Sequence, residues 1–255
     1  MIAAPDAPAG DQAWVLAQFL SRAAILGPVE PAAASALVRQ LRPAQFGSGE
    51  TIFAQGDPGD RVYVIVSGTV KISLRSPDGR ENLRAILGPT DAFGELAVFD
   101  PGPRSCTASA ITDVHAVSLD RATLRIWIAR WPVLGEQLLR ALTRRLRRSE
   151  EQRIELVSSD VAGRVARRLL LLGRRFGTPE GGGLRLAHEL SQDELAQLVG
   201  ADRVSVNKAL RDFTARGWIR PEGKDILILD PDALARRATA GGKGANRRRP
   251  LRASA

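Results

Sequence analysis

The sequence is poor in the residues that hold metals and carry redox chemistry. Cys106 is its only cysteine, and His115 and His188 are its only histidines. A lone cysteine cannot close a disulfide within the chain, which fits a reducing compartment and a cytoplasmic location. Iron–sulfur clusters and zinc ribbons need several cysteines. No metal site is therefore expected, and both histidines read as structural. No run of about 20 apolar residues occurs, so no membrane-spanning helix is expected. The opening MIAAPDAPAGDQAW lacks a basic region followed by an apolar one, and no secretory signal is expected. No serine or cysteine nucleophile sits beside a recognisable base, so the chain does not read as an enzyme.

What is present is an ordinary globular composition with an uneven charge. Hydrophobic residues make up 44% of the 255 positions, enough for one large or two medium domains. The net charge is +9. Most of it comes from Arg236, Arg237, Lys243, Arg247, Arg248, Arg249 and Arg252, in a stretch without acids. The total charge is thus a weak argument for nucleic acid, and a motif is needed.

The texture changes along the chain. Residues 1–20 read as an extension, and 14–42 as short helices. From Phe46 to Leu119, β-branched runs alternate with glycine turns about every ten residues, which suits a small antiparallel barrel or roll. A plain sandwich without ligand fits that pattern equally. Residues 132–158 are rich in Arg, Leu and Glu and read as one long helix. At 100° per residue, Leu138, Leu142, Arg145, Ser149, Gln152 and Leu156 share a stripe, expected to face a second copy. DVAGRVARRLLLLGRRF reads as another helix and GTPEGGG as a loop. Two helices and a hairpin follow, ending near Asp230, and 236–255 read as a disordered basic tail.

Two segments carry chemistry. In FGELAVFDPGPRS, Phe93–Ser105, Gly94 admits close backbone approach and Glu95 can accept from a ribose hydroxyl. Arg104 offers a charge-assisted contact to a phosphate, with Ser105 beside it and Leu96 in the same segment. DPGP reads as a rigid turn or short helix presenting N–H groups. A structural Glu95–Arg104 ion pair is the plainer alternative. In SQDELAQLVGADRVSVNKALRDF, Ser191 and Glu194 form a capping box, Gly200 suits a left-handed turn, and Asp202 caps the next helix. That spacing is a helix-turn-helix pattern, and WIRPEGKDILIL reads as a wing. The N-terminal end of the second helix carries Arg203, Val204, Ser205, Asn207 and Lys208 toward a major groove. Ser191 and Lys224 are candidate phosphate contacts.

FGELAVFDPGPRS resembles the phosphate-binding cassette of the cyclic-AMP receptor protein (Crp/Fnr) family of bacterial regulators. GDPGDRVYVIVSGTVKI resembles its upstream strands, TRRLRRSEE the part of the dimerisation helix that meets the base, and DVAGRVARRLL the start of the DNA-binding domain. The resemblance covers about residues 20–235 and is closest to cyclic-AMP-responsive regulators of high-GC Gram-positive bacteria. It implies an α+β fold: an antiparallel cyclic-nucleotide-binding β-roll (21–131), a dimerisation helix (132–158) and a winged helix-turn-helix (159–235). It implies a homodimer that binds palindromic double-stranded DNA under cyclic AMP control and works with RNA polymerase. Gly94 and Glu95 would hold the ribose, Arg104 and Ser105 the phosphate, and Ser149 the adenine. Glu150 departs from the small or neutral family residue and leaves cyclic GMP as an alternative effector. A ligand-independent regulator is a further alternative. Val204 replaces a glutamate that usually reads a base.

Overall fold

The computed structural model describes residues 36, 38–77, 79–187 and 190–240. The N-terminal extension, all of the short helices expected over 14–42 except residues 36 and 38–42, His188 and the tail beyond 240 lie outside these residues, and Arg42 at the end of that range is in a strand rather than a helix. The chain divides into two compact units, Met1–Arg147 and Arg148–Ala255.

The first unit is built on two four-stranded antiparallel sheets. One has the order β1 (Arg42–Phe46), β8 (Val114–Asp120), β3 (Arg61–Ser67), β6 (Ala92–Phe93). The other has the order β2 (Thr51–Phe53), β7 (Thr107–Ala110), β4 (Val70–Arg75), β5 (Glu81–Leu87). Alternation along β3 and β8 explains how one sheet serves two cores. Ile65, Val114 and Ala116 point inward, with Phe53, Ile72 and Phe93. Val62, Val64, Val117 and Leu119 face the other way and pack on helices. That second core takes Leu124 and Trp127 from α2 (Arg121–Arg130), after the one-turn α1 (Leu96–Phe99).

The long helix α3 spans Pro132–Ser158. Leu134 and Leu138 bury into the core beneath the first sheet. The expected stripe beginning at Leu138 therefore faces this unit's own sheet at its start, not a second copy. Leu139, at 67%, and Leu146, at 60%, are exposed one heptad apart on another face, and Leu156 at the far end of the expected stripe is exposed as well. A helical wheel ranks faces by polarity but does not say which face the sheet will cover.

The second unit takes the end of α3, from Arg148, and continues with α4 (Val161–Phe176), capped by Asp160, whose carboxylate accepts from the Gly163 N–H at 2.9 Å. Next comes a hairpin where a loop was expected: β9 (Thr178–Glu180) pairs with β10 (Gly183–Leu186). Gly181 and Gly182 make the turn with φ of 55° and 78°. Two successive positive-φ residues suit the right-handed twist of a tight hairpin, and only glycine takes them without strain. Helices α5 (Gln192–Val199) and α6 (Arg203–Ala215) follow, then β11 (Ile219–Glu222) and β12 (Asp225–Ile228). The sheet order is β11-β12-β10-β9.

The chain then forms α7 (Pro231–Ala240), so residues 236–240 are helical and not part of a disordered tail. Asp230 accepts from the Ala233 N–H at 2.8 Å, Pro231 begins the first turn, and Ala233, Leu234 and Ala238 are buried. Cap, proline and helical spacing together stabilise a segment that its basic composition hides.

Candidate functional site: a buried cassette and a helix-turn-helix

Arg104 is 5% exposed. Its Nη1 donates to the carbonyls of Arg61, at 2.9 Å, and Gly94, at 2.8 Å. The guanidinium lies 4.2 Å from the Phe53 ring centroid, and Phe53 belongs to an aromatic group with Tyr63 and Phe93. Backbone pairing fixes the segment: Arg104 N–H donates to Asp57 O and Gly56 N–H to Arg104 O, both at 2.8 Å. Gly94 has φ of 80°, and a Cβ there would stand 2.7 Å from Arg104 Nη1. The glycine is thus needed to let the guanidinium in, besides any approach to a sugar.

Glu95 is 3% exposed and begins the single turn of α1. Its carboxylate accepts from Nη1 of Arg145 on α3. The alternative Glu95–Arg104 ion pair is therefore not the arrangement found. Glu95 is paired with Arg145, while Nη1 of Arg104 is taken by the two backbone carbonyls. The helical turn is LAVF, ahead of DPGP, whereas the helix or turn was expected within DPGP itself. Arg121 braces this turn from behind, donating to the carbonyls of Ala97 and, at 3.1 Å, Gly59. Leu96 is half exposed and Ser105 is exposed. Burial raises the thiol pKa of Cys106, which makes this lone cysteine a poor nucleophile.

Arg145 and Arg121 were missed as candidates at sequence level. Arg145 sat on the expected stripe, but nothing in its neighbourhood marks it as the partner of a residue 50 positions away. Ser149 and Glu150 are exposed on α3, in the second compact unit.

A nucleotide's charge fits this cassette. Nε of Arg104, like Nε of Arg121, is buried without a hydrogen-bond partner, an arrangement that leaves cationic donors at this segment unmatched. An anion would supply the missing acceptor, and the Glu95 carboxylate, paired with Arg145, is a second polar group of the same segment.

In the second unit, Ser191 Oγ accepts from the Glu194 N–H at 3.1 Å and the Glu194 carboxylate accepts from the Ser191 N–H at 2.9 Å, closing the expected capping box, while the Ser191 hydroxyl also donates to that carboxylate at 3.0 Å. The hydroxyl proton is thus engaged in the cap before any phosphate arrives. Gly200 ends α5 with φ of 71°. The Asp202 carboxylate accepts from the Ser205 N–H at 2.8 Å, and its hydrogen bonds with Ser205 lower its pKa. Arg203, Val204 and Lys208 are exposed on the first turns of α6, with Ser205 and Asn207 half-buried between them. Val204 is 79% exposed. Lys224 lies in the turn between β11 and β12. Arg185 on β10 ties the wing together, pairing with Glu180, Glu222 and Asp225.

Arg164 on α4 was also missed. It donates to the carbonyls of Ser159, Val199 and Gly200, at 2.7, 3.1 and 3.1 Å. One guanidinium so joins the end of α3 to the turn of the helix-turn-helix.

Residues 43–130 match the cyclic nucleotide-binding domain, and residues 163–237 match the Crp-like helix-turn-helix domain. A relative in Mycobacterium tuberculosis, described as a CRP-like cAMP-activated global transcriptional regulator, is 59% identical over 221 residues, 87% of this chain and 99% of the relative. This chain belongs to the Crp/Fnr family of transcription regulators.

Other Crp/Fnr relatives agree with that placement. The cyclic AMP receptor protein of Thermus thermophilus is 34% identical over 71% of this chain and 79% of its own length. A solved CRP/FNR-family transcriptional regulator, also from Thermus thermophilus, superposes with a TM-score of 0.68 at 28% identity, covering 79% of this chain and all of that one. The match to regulators across both units, rather than to an enzyme, makes this a regulatory chain. No helix among the described residues is long and apolar enough to cross a membrane.

Proposed function

We propose that this chain is a homodimeric transcription regulator, activated by cyclic AMP, that binds palindromic promoter sites in the cytoplasm. The carrying observation is the buried, unmatched Nε of Arg104 within a domain of the cyclic nucleotide-binding type. In this reading Arg104 and Ser105 bind the ring phosphate and Glu95, held by Arg145, accepts from the ribose. Gly94 and Leu96 shape the cassette around them. Ser149 meets the adenine and Glu150 stands beside it. Residues 21–131 form the sensor, 132–158 the dimerisation helix and 159–235 the reader. Leu139 and Leu146, exposed one heptad apart, supply apolar surface for a second copy of α3.

In the reader, Arg203, Val204, Ser205, Asn207 and Lys208 present α6 to a major groove, while Ser191 and Lys224 approach the phosphate backbone. Two copies would place their α6 helices in successive grooves, about 34 Å apart. Ligand then acts by favouring the dimer arrangement in which both helices fit. RNA polymerase is the further partner expected of such a regulator.

Calorimetry with cyclic AMP, followed by mobility shift on duplexes selected from a randomised pool with and without the nucleotide, tests the reading. Saturable binding that tightens DNA affinity is expected. DNA binding indifferent to cyclic AMP would instead make this a ligand-independent regulator. One observation favours a second reading: the Glu150 carboxylate can accept from both N1–H and N2–H of guanine, so cyclic GMP belongs in the same titration.

A further inference from the structure

The first turn of α5 reaches across to the first turns of α6. Asp193 Oδ2 lies 3.2 Å from Nη1 of Arg203. Gln192 Oε1 accepts from Nη2 of Arg203 at 3.4 Å and from Nδ2 of Asn207 at 3.0 Å. Arg203 and Asn207 are one turn apart on the same face of α6. A single amide oxygen thus bridges two side chains of that face, and a carboxylate fixes the far end of one of them. Val204, beside Arg203 in sequence, presents only methyl groups.

We infer that Gln192 and Asp193 are specificity-determining positioning residues, which set the rotamers of Arg203 and Asn207 for reading a base edge. The inference rests on the reading of α6 as the recognition helix.

The physical case has two parts. An arginine side chain loses much rotamer freedom when it adopts one extended geometry, and bidentate pairing with guanine needs that geometry. Tethering the fork in the free protein removes part of that loss, and only for the base that the held fork matches. The charge argues in the same direction. A carboxylate beside a DNA-facing arginine weakens attraction to phosphates at every sequence. Its side chain is 61% exposed, so the pair contributes little to folding. Asp193 thus lowers general affinity while sharpening the contact that carries sequence information.

These opposed effects provide the test. Palindromic duplexes are first selected from a randomised pool by the full wild-type chain with cyclic AMP. The base pair read by Arg203 is then identified as the one whose substitution wild type rejects and Arg203→Ala accepts. Affinities for the selected duplex and for one altered at that pair are measured for wild type, Asp193→Asn, Gln192→Ala, Arg203→Ala and the Asp193→Asn/Arg203→Ala double variant. Asp193→Asn is expected to bind the altered duplex more tightly than wild type does. It should also lose roughly three- to tenfold in discrimination at that base pair, and the double variant should lose no more than Arg203→Ala does alone. Gln192→Ala should lose discrimination without the gain in general affinity. Wild-type discrimination in both single variants, with Arg203→Ala still relaxed, overturns the inference and leaves the recognition helix standing. If wild type and Arg203→Ala reject the same substitutions at every base pair, both readings are overturned. A lesion confined to folding would lower both affinities together and leave their ratio intact.

Discussion

Glu95 accepts a hydrogen bond from Nη1 of Arg145, and the two residues lie 50 positions apart in the chain. The carboxylate is 4% exposed and the guanidinium half exposed. A buried acid proposed for the ribose is therefore held by a cation on the long helix, so the cassette and this part of α3 form one electrostatic unit.

Arg145→Ala should strand that carboxylate. The expected loss of stability is roughly 1–3 kcal/mol, less than for a fully buried pair because Arg145 is partly in water. Adding Glu95→Gln to the same chain should recover most of the loss, since the unpaired charge is gone. Denaturant unfolding of the single and double variants measures both. Equal stability of wild type and Arg145→Ala would mean that the pair does not stabilise the roll.

Arg104→Leu should weaken cyclic AMP binding by about 2–4 kcal/mol, because a phosphate in the cassette would lose its charged partner. Calorimetry on the folded variant, checked by circular dichroism, gives the value. Equal affinity in wild type and variant would reject the phosphate role of Arg104.

Glu150→Asn should shift the competition between cyclic AMP and cyclic GMP toward cyclic AMP. The carboxylate accepts twice from guanine in simple geometry and once from the adenine amino group. Displacement of labelled cyclic AMP reads the ratio directly. An unchanged ratio removes Glu150 from base selection.

Val204 has no acceptor for cytosine N4, and at 79% exposure it meets whatever lies against α6. Discrimination at its base pair should be lower than in Val204→Glu by about 1–3 kcal/mol. Binding to four duplex sets that vary only that pair is the measurement. Wild type as demanding there as the glutamate variant would assign the position to another residue, such as Asn207.

Asp160 caps α4 and also pairs with Arg237 on α7. The Arg237 contact, with the Gly163 cap, holds its carboxyl below the ordinary aspartate value of 3.8. A folded-state pKa lowered in this way contributes stability above the unfolded value. The contribution disappears as pH falls through the folded value. Asp160→Ala should therefore cost about 1 kcal/mol near neutral pH, and the difference from wild type should shrink below about pH 4. Urea unfolding at several pH values tests this. A difference that persists unaltered at about pH 2 would mean that the ionised carboxylate is not its source.

The sequence by itself determined the elements whose signals are local. The capping box at Ser191 and Glu194, the turn at Gly200 and the cap at Asp202 are satisfied by groups within three to five positions, so spacing alone reveals the helix-turn-helix. The alternating runs around Val62 and Val114 likewise carry their own period, which marks them as strands with two different faces. Tertiary structure decided everything that joins distant positions. Only the folded sheet shows that Leu138 turns inward while Leu139 stays exposed, because two adjacent apolar residues on a helix look alike until one face is covered. Only packing gives Glu95 its partner in Arg145, Arg164 its three carbonyls and Arg203 its hold from Asp193. An arginine side chain is long and its donors are satisfied by whatever acceptor the fold brings near. Its role is therefore written in three-dimensional proximity and leaves no pattern along the chain.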